Sequence, residues 1–568
     1  MNPSRSLAPR HGGQLLADAL AVHGVDTVFG VPGESYLAVL DGLYAHRDAI
    51  RFITCRHEGN AAFMAEAYGK LTGRPGVLMV TRGPGASNAT IGIHTAQQDS
   101  TPLVVFVGQV GNDFMGREAF QEVDYRRMYG SMAKWATQID RSERIPEIVA
   151  HAFQVATSGR MGPVVVALPE DTLAGTATVA DSACHRPVQA HPSPDQIEAL
   201  RELLASAQRP LVLAGGSGWT PAACEALRVF AESNALPVAC SFRRQDLIDH
   251  HHPNYVGDVG IGINPKLAER VRNADLLIAI GPRLGEMTTS GYTLLESPLP
   301  RQKLVHVHPG AEELGSVFQA ELMINAGVAQ FTAALAGIHV EAPRWRDSVA
   351  QARAELEAWR ARPAVFEQPG LDRLDLWEVV DTLQRAVPAD TIVTNGAGNF
   401  ATWAHRFWRH GGLRTQLAPT SGAMGYGIPA AVAARITAPQ RSVVCFAGDG
   451  DFLMSANELA TAAQYDAGFL VLLFNNGMYG TIRMHQEREY PGRVSGTALA
   501  NPDFTRYAEA FGGFGARVER TAEFGAALEK ALGFIGRHKR PALIELVVDP
   551  QVITPGRSLD QIAGRGAA

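Results

Sequence analysis

The chain has 568 residues, with 51 Lys and Arg against 57 Asp and Glu, so its formal net charge is −6 at pH 7. This length predicts several domains with a sizeable core and excludes a small disulfide-stabilised module, and the charge balance argues against a nucleic-acid or anionic-membrane partner. The 57 glycines exceed the usual share of about 7 %, and because 46% of the chain is hydrophobic, we expect them inside folded domains rather than in a flexible linker.

The cysteine pattern and the hydropathy predict a cytoplasmic protein. The five cysteines form no CxxC pair and show no metal-ligand spacing; they are Cys55, Cys184, Cys224, Cys240 and Cys445. Free thiols of this kind are typical of a reducing cytosol. The N-terminal residues have no apolar core, and the longest apolar runs, 163–169 and 469–474, are shorter than the roughly 20 residues that span a bilayer.

In the first part of the chain, apolar runs that favour strands alternate with helical stretches. The runs are VDTVFGV, RFITC, GVLMV and PLVVFVG, with helices predicted at 59–70 and after Gly85. Continuous apolar strands separated by helices indicate a parallel sheet that is covered on both faces. We assign this first domain to residues 1–172.

A second block follows a linker predicted at 173–190. Ser193 as N-cap, Pro194 at the first helical position and Gln196 closing a capping box predict a helix start. The runs PLVLAGG, LPVACSF, ADLLIAIG and KLVHVHPG are again typical of strands. We assign this central α/β domain to residues 191–343.

The third block follows a charged, helical segment at 344–362 and is assigned to residues 363–568. Its strand-like runs are TIVTNGAG, RSVVCFAGDG, FLVLLFNNG and PALIELVVDP. The predicted fold class is therefore α/β, with three doubly wound parallel-sheet domains. In all three blocks glycines follow the strands, at the carboxyl ends where such folds bind ligands.

The most specific motif is Gly448-Asp449-Gly450, which 24 intervening residues separate from Asn475-Asn476. Each part comes directly after an apolar strand, so a carboxylate and an amide oxygen should reach neighbouring strand ends. Oxygen ligands of this type suit Mg²⁺ or Ca²⁺, and Mg²⁺ in particular binds through one carboxylate plus phosphate oxygens. The motif therefore predicts a metal and phosphate site in the third domain.

This spacing resembles that of the thiamin-diphosphate enzymes, and the chain is similar to the acetolactate synthase and benzaldehyde lyase branch over nearly its full length. The resemblance implies a pyrimidine-binding, a central and a diphosphate-binding domain, in that order. It implies thiamin diphosphate and Mg²⁺ as cofactors, with Asp449, Asn476 and the carbonyl of Met478 as metal ligands. The residues that would surround the diphosphate are Gly398, Asn399, Gly450, Asp451, Tyr479 and Gly480.

The resemblance also implies three residues that act on the aminopyrimidine of the cofactor. Glu58 would hydrogen-bond its ring nitrogen and favour the imino tautomer. Met424 would be the hydrophobic wedge that bends the cofactor, and the carbonyl of Gly422 would hold the amino group. In the resembling enzymes, the counterparts of Glu58 and Asp449 come from different subunits, so we expect a homodimer or a homotetramer.

On the substrate side, Phe120, Gln121 and Lys134 match a segment that lines the channel in acetolactate synthases; the alternative is that they are surface or interface side chains. Pro32 stands where the lyases carry an acid/base histidine, which favours decarboxylation and carboligation over aldehyde cleavage. His485 stands where biosynthetic acetolactate synthases carry a tryptophan that discriminates their second substrate. It either binds a polar acceptor or is a solvated helix histidine.

The resemblance implies decarboxylation of a pyruvate-like 2-oxo acid and carboligation to a second carbonyl, as in acetolactate synthase. The alternatives are an aldehyde or acyl-CoA lyase or carboligase, or a flavin-linked oxidase, on the same scaffold, and more remotely a nucleotide-binding dehydrogenase. The central block carries GGSGW rather than GxGxxG, so no motif supports a dinucleotide there. Relatives that bind FAD in this domain without a simple signature leave FAD open.

Overall fold

The structure is a computed structural model that describes residues 8–363 and 374–565. The chain divides into two compact units, Met1–Val188 and Gln189–Ala568. The first unit contains one large sheet and the second contains two. Among the described residues, no helix is both long enough and apolar enough to cross a bilayer.

The first unit is built on a six-stranded parallel sheet with the strand order β3-β2-β4-β5-β7-β6. Its strands are β1 (Arg10–His11), β2 (Thr27–Gly30), β3 (Arg51–Thr54), β4 (Gly76–Val80), β5 (Leu103–Gln109), β6 (Trp135–Gln138), β7 (Pro163–Pro169) and β8 (Thr176–Ala177), of which β1 and β8 form a separate antiparallel pair. Its helices are α1 (Gly12–Val22), α2 (Leu37–Ala45), α3 (Glu58–Thr72), α4 (Gly83–Asp99), α5 (Tyr125–Tyr129), α6 (Ile145–Thr157) and α7 (Glu170–Ala174).

The inner strands of this sheet explain why continuous apolar runs in the sequence predict strands. Every residue of β4, β5 and β7 is buried, because helices cover both faces of a parallel sheet. The edge strand β6 was not predicted, since its four residues are only half-buried and carry no apolar run.

The second unit begins with the central sheet, whose strand order is β11-β10-β9-β12-β13-β14. Its strands are β9 (Pro210–Ala214), β10 (Val238–Cys240), β11 (Tyr255–Asp258), β12 (Leu276–Ile280), β13 (Lys303–His308) and β14 (Leu322–Asn325). Its helices are α8 (Pro194–Ser206), α9 (Pro221–Ser233), α10 (Pro265–Asn273), α11 (Val328–Ala334) and α12 (Arg346–Arg360). The capping box predicted between Ser193 and Gln196 is confirmed at the start of α8.

Alternating residues of the central strands enter two different cores. Val212 packs with Leu227 of α9 on one face, while Leu213 packs with Leu267 of α10 on the other. The central domain is therefore covered by helices on both faces, as the continuous apolar strands predicted.

The third sheet has the strand order β16-β15-β17-β18-β20-β19. Its strands are β15 (Ile392–Asn395), β16 (Gln416–Leu417), β17 (Val443–Gly448), β18 (Leu470–Asn475), β19 (Phe514–Val518) and β20 (Ala542–Val547). Its helices are α13 (Leu376–Ala386), α14 (Ala401–Phe407), α15 (Gly427–Thr437), α16 (Asp449–Leu453), α17 (Leu459–Gln464), α18 (Gly480–Glu489), α19 (Phe504–Ala510), α20 (Thr521–His538) and α21 (Leu559–Ile562).

The first and third sheets share one topology and the central sheet has another. Counted along each domain, the first and third sheets both run 2-1-3-4-6-5, whereas the central sheet runs 3-2-1-4-5-6. All three sheets are parallel and lie inside the predicted domains, although β8 extends the first domain beyond residue 172. The predicted fold class is confirmed, and the exact domain boundaries stay predictions.

Candidate functional site

A cavity of about 240 Å³ lies at the carboxyl edge of the third sheet. It sits where the connections from β15 and β17 run to opposite sides of the sheet, which is the usual ligand position in such folds. The predicted residues that line it are Gly398, Asn399, Gly422, Met424, Asp449, Gly450, Asp451, Asn476, Met478, Tyr479 and Gly480. Residues far apart in the chain thus meet at one cavity because three strands end beside each other.

Asp449 is the buried carboxylate of this cavity. It follows β17 directly and is 3% exposed. Its Oδ2 accepts hydrogen bonds from the Gly477 amide at 3.0 Å and from Asn501 Nδ2 at 2.7 Å. Burial raises the pKa of Asp449 above its usual value, although these donors lower it. A divalent cation would offset this cost of burial, and Asn476 lies on the same wall.

Asn501 is a site residue that the sequence analysis missed. Besides Asp449, its Nδ2 donates to Asn475 Oδ1 at 2.9 Å. Asn501 reaches this position because the preceding segment pairs with the loop after β18, where the Leu499 amide donates to the Gly477 carbonyl at 2.8 Å. No spacing in the sequence signals such a long-range contact.

Asp451 connects two loops around the cavity. Its Oδ1 accepts hydrogen bonds from the Gly425 amide at 2.8 Å and from the Ala397 amide at 3.2 Å. Burial raises the pKa of Asp451 to about 7, even though the hydrogen bonds from the two amides act in the opposite direction. The structure therefore gives this carboxylate a role in holding the walls of the cavity together, in addition to lining it.

The wall formed by α18 offers donors to an anion. Gly480 is the first residue of this ten-residue helix and lines the cavity. The free backbone amides of the first helical turn, and the positive end of the helix dipole, therefore face the cavity. Thr481 was not predicted, yet its hydroxyl donates to Asn399 Oδ1 and accepts from the Asn399 amide, both at 3.0 Å. A side chain at Gly450 would come within 2.5 Å of the Tyr479 ring, so this approach requires glycine.

The remaining walls are apolar. Met424 and Gly422 stand on the loop before α15, and Ile482 faces the cavity from α18. Further apolar lining is provided by Leu376, Phe400, Trp403, Phe474, Val548, Val552 and Ile553. The cavity thus combines one polar wall that suits a metal-bound phosphate with apolar walls that suit a ring system.

The first unit carries its own group of predicted residues at the carboxyl edge of its sheet. Glu58 begins α3 and is half-buried, and its Oε2 accepts a hydrogen bond from Asn88 Nδ2 at 2.9 Å. The Gln121 carbonyl accepts from the Gly83 amide at 3.0 Å, and Gln121 has a left-handed φ of 66°. Glu58 and Gln121 therefore both contact α4, and Phe120, which is 73% exposed, precedes Gln121.

Lys134 does not join this group. It precedes β6, and its amide donates to the Pro163 carbonyl at the start of β7. This is the amino edge of the sheet, opposite Glu58. Its Nζ donates to the carbonyls of Val155 and Ser158 at 2.5 and 2.8 Å. The position of Lys134 therefore favours the alternative of a surface side chain: it is exposed and caps the end of α6, and Glu58 lies at the other edge of the sheet.

His485 is exposed on α18, one turn beyond Ile482, and its Nδ1 accepts a hydrogen bond from Arg488. It lies past the residues that line the cavity. Its position fits the solvated helix histidine better than a residue inside the cavity.

His23, Cys184 and His185 of the first unit place potential metal-ligand atoms within 4.8 Å of one another. The His23 Nδ1, however, already accepts the His185 amide at 3.2 Å, and its ring stacks on Phe153. We interpret the group as packing between α1 and the segment after β8.

At the equivalent edge of the central sheet, the loops after β9 and β12 close on each other. Gly216, with a φ of +70°, approaches Gly281 so closely that a Cβ would lie 1.9 Å from the Gly281 carbonyl oxygen. The buried Trp219 donates from Nε1 to the Gly215 carbonyl at 2.7 Å. Backbone packing therefore accounts for Gly216 and Gly281.

Comparison with known proteins agrees with this arrangement. Residues 10–128 match the N-terminal TPP binding domain of the thiamine pyrophosphate enzymes, residues 197–335 match their central domain, and residues 396–546 match their C-terminal TPP binding domain. The chain belongs to the thiamine pyrophosphate enzyme family. Membership in this family confirms the resemblance and argues against the dehydrogenase alternative.

Curated relatives of this thiamine pyrophosphate enzyme cover almost its whole length. It is 32% identical over 557 residues to the acetolactate synthase isozyme 2 large subunit of Escherichia coli (strain K12), which is 96% of this chain and 98% of that protein. It is 33% identical to the acetolactate synthase large subunit of Corynebacterium glutamicum, with 96% and 89% covered. It is 30% identical to the probable acetolactate synthase large subunit of Methanocaldococcus jannaschii, with 97% and 95% covered. The chain is therefore a thiamine-pyrophosphate-dependent enzyme related to the acetolactate synthases.

Proposed function

We propose that the enzyme removes CO₂ from a pyruvate-like 2-oxo acid and joins the remaining unit to the carbonyl of a second molecule. The similarity to acetolactate synthases over 96% of the chain supports this reaction. The observation that carries the proposal is the third-domain cavity, in which the buried Asp449, the amide of Asn476 and the start of α18 face one another. Such a set of groups suits a magnesium-bound diphosphate.

The residues present fit thiamine diphosphate with Mg²⁺. Asp449, Asn476 and the carbonyl of Met478 would hold the metal, because a cation there offsets the raised pKa of the buried carboxyl. The diphosphate would lie against Gly398, Asn399, Gly450, Asp451, Tyr479 and Gly480, which line the same cavity. When bound, the cofactor supplies an electron sink for the carbon that loses CO₂.

The chain supplies shape and proton control. Met424 would support the cofactor rings from the apolar wall, and the Gly422 carbonyl would accept a hydrogen bond from the aminopyrimidine amino group. Glu58 would hold a proton at the ring nitrogen, and the hydrogen bond from Asn88 restricts where its carboxyl can point. The apolar walls would exclude water from the reacting carbon.

Two features of the first domain support ligation over aldehyde cleavage. Pro32, which follows β2, brings no titratable group to the carboxyl edge of the sheet. Gln121, held against α4 through its carbonyl, offers an amide that can donate and accept hydrogen bonds but cannot act as an acid or base near pH 7. Proton transfers would then depend on the cofactor's amino group and water.

We further propose that Glu58 of one subunit completes the cavity around Asp449 of another, in a homodimer or homotetramer. Coexpression of Glu58→Gln with Asp449→Asn tests this. Each variant alone should be inactive, while a random mixture should recover about a quarter of the wild-type activity, because half of the dimers contain one intact site of two. No recovery in a mixture shown to contain heteromers would refute sharing of the site.

The function is tested by incubating purified protein with Mg²⁺, thiamine diphosphate and pyruvate alone. We expect release of CO₂ and formation of acetolactate, with two molecules of pyruvate consumed for each acetolactate formed. The turnover number should be on the order of 1–10³ s⁻¹, as for ordinary enzymes. Release of CO₂ from another 2-oxo acid, but not from pyruvate, would identify that acid as the donor substrate. Peroxide formation, or cleavage of an aldehyde or acyl-CoA without decarboxylation, would replace the proposal by an alternative on the same scaffold. The absorbance spectrum of the same sample decides whether FAD is bound.

A further inference from the structure

Arg243 reaches from the central domain to two loops of the third domain whose later residues line the cavity. It follows β10 and is only 6% exposed. Its φ of 57° is left-handed, a conformation that is uncommon for a residue with a long side chain. A buried charge on such a backbone requires specific partners.

The guanidinium bridges two loops of the third domain. Its Nη2 donates to the Gly396 carbonyl at 3.0 Å, and its Nη1 donates to the Pro419 carbonyl. The first loop follows β15 and continues to Gly398 and Asn399, whereas the second follows β16 and continues to Gly422 and Met424. One planar group thus spans the loop of the polar wall and the loop of the apolar wall.

Asp451 joins the same two loops from inside the third domain. It accepts hydrogen bonds from the amides of Ala397 and Gly425, each of which belongs to one of the loops that Arg243 bonds. The positive charge of Arg243 also acts on Asp451. The two loops are therefore held by two groups of opposite charge, of which only Arg243 belongs to the central domain.

The backbone that carries Arg243 is anchored by its own contacts. The Gln245 amide donates to Gln416 Oε1, and Gln416 Nε2 donates to Gln245 Oε1, both at 2.8 Å. Asp246 Oδ2 accepts the Arg414 amide at 2.8 Å. The position of the guanidinium is thus determined by how the central domain packs against the third.

We propose that Arg243 is a positioning residue that sets the spacing of the two cofactor loops and couples cofactor binding to the packing of the central domain. This inference rests on the proposed function, because it assigns the two loops to one cofactor. Arginine suits the task because its rigid fork binds two carbonyl oxygens at once, whereas the ammonium of lysine is a single point charge.

The test compares Arg243→Met and Arg243→Lys with the control Arg409→Met. Arg409 lies near the same junction, where it forms a bidentate ion pair with Glu357 of α12 at 2.6 and 3.0 Å, and its side chain bonds neither cofactor loop. Binding of thiamine diphosphate with Mg²⁺ is measured by calorimetry and by quenching of tryptophan fluorescence, to which Trp403 in the cavity wall contributes, and stability is measured by thermal unfolding.

We expect Arg243→Met to weaken cofactor binding at least about tenfold, Arg243→Lys to give a smaller loss, and Arg409→Met to lower the unfolding temperature without changing cofactor affinity. Equal cofactor affinity in Arg243→Met and wild type would overturn the proposal. If Arg243→Met does not fold, Arg243→Lys decides, since wild-type affinity in that variant would also overturn it. Failure of the wild type to bind thiamine diphosphate would instead refute the proposed function.

Discussion

The central and third sheets are both parallel, and their carboxyl edges are equivalent positions, but the loops at these two edges pack differently. At both edges, two neighbouring strands send their connections in opposite directions, which leaves room for a ligand. In the third sheet this room is the cavity beside Asp449. In the central sheet the loops after β9 and β12 close on each other there, because Gly216 contacts Gly281, and Trp219 donates a hydrogen bond to the Gly215 carbonyl.

The difference shows that a glycine after a strand has two opposite uses. In the third domain, Gly450 lets the Tyr479 ring approach the motif that carries Asp449. In the central domain, Gly216 lets one backbone close on another. The same residue type therefore helps to form a site in one sheet and brings two loops into contact in the other.

The largest effect should follow from breaking the polar wall of the open edge. Asp449→Asn should lower activity more than about 100-fold, beyond the 10–100-fold typical of losing a group that only supports a metal ligand. Thiamine diphosphate binding should also lose its dependence on Mg²⁺, as followed by calorimetry. The control Asp466→Asn changes an exposed carboxylate of the same domain and should leave both unchanged. Normal Mg²⁺ dependence in Asp449→Asn would exclude this residue as a ligand.

The closed edge should respond with a loss of stability. Gly216→Ala adds a Cβ that would lie 1.9 Å from the Gly281 carbonyl oxygen, so we expect a loss of about 2–4 kcal/mol from overpacking and backbone strain. Gly262→Ala is the matched control, because Gly262 has a similar φ of +79° but no atom within 4 Å. It should lose only about 1 kcal/mol. Similar denaturation midpoints for both variants would contradict the tight contact.

The junction between these two domains should weaken in acid. Burial lowers the pKa of His410 to about 4, with smaller effects from Asp246 and Arg360. The His410 Nδ1 meets Thr415 Oγ1 at 3.0 Å, and its ring lies edge-on to His250. Because the unfolded histidine binds a proton below about pH 6.5 and the folded one does not, stability should fall between pH 7 and pH 5, by about 2 kcal/mol for this group.

Thermal unfolding of His410→Gln at both pH values measures this contribution. The variant should lose part of the pH dependence, while His251→Gln, which changes an exposed histidine of the central domain, should keep all of it. An unaltered pH dependence in His410→Gln would show that other groups cause the acid sensitivity.

The smallest effect should come from narrowing the open edge. Gly422 has a φ of +69° and nothing within 4 Å, so Gly422→Ala should cost about 1 kcal/mol of stability, like Gly262→Ala. Because Gly422 lines the cavity, the variant should also bind thiamine diphosphate several-fold more weakly in calorimetry. Gly262→Ala should leave the affinity for thiamine diphosphate unchanged. Equal affinities in the two variants would show that Gly422 does not lie beside the cofactor.

Long-range contacts explain most of what could not be predicted. Asn88, Asn501 and Thr481 contact predicted residues across the fold, but no motif relates their positions in the sequence. The short edge strands were missed as well, because they are partly exposed or only a few residues long. Missing β6 had a consequence, since it concealed that Lys134 precedes a strand and therefore lies at the amino edge of the sheet.

The sequence by itself determined the three parallel sheets, because a strand buried on both faces must be continuously apolar. It also determined which polar groups follow the strands, and the family to which the chain belongs. Only the tertiary structure decided which strand ends are open, because that depends on how closely two backbones approach. The glycines at 216 and 450 look alike in the sequence, and the atoms packed against them give them opposite consequences.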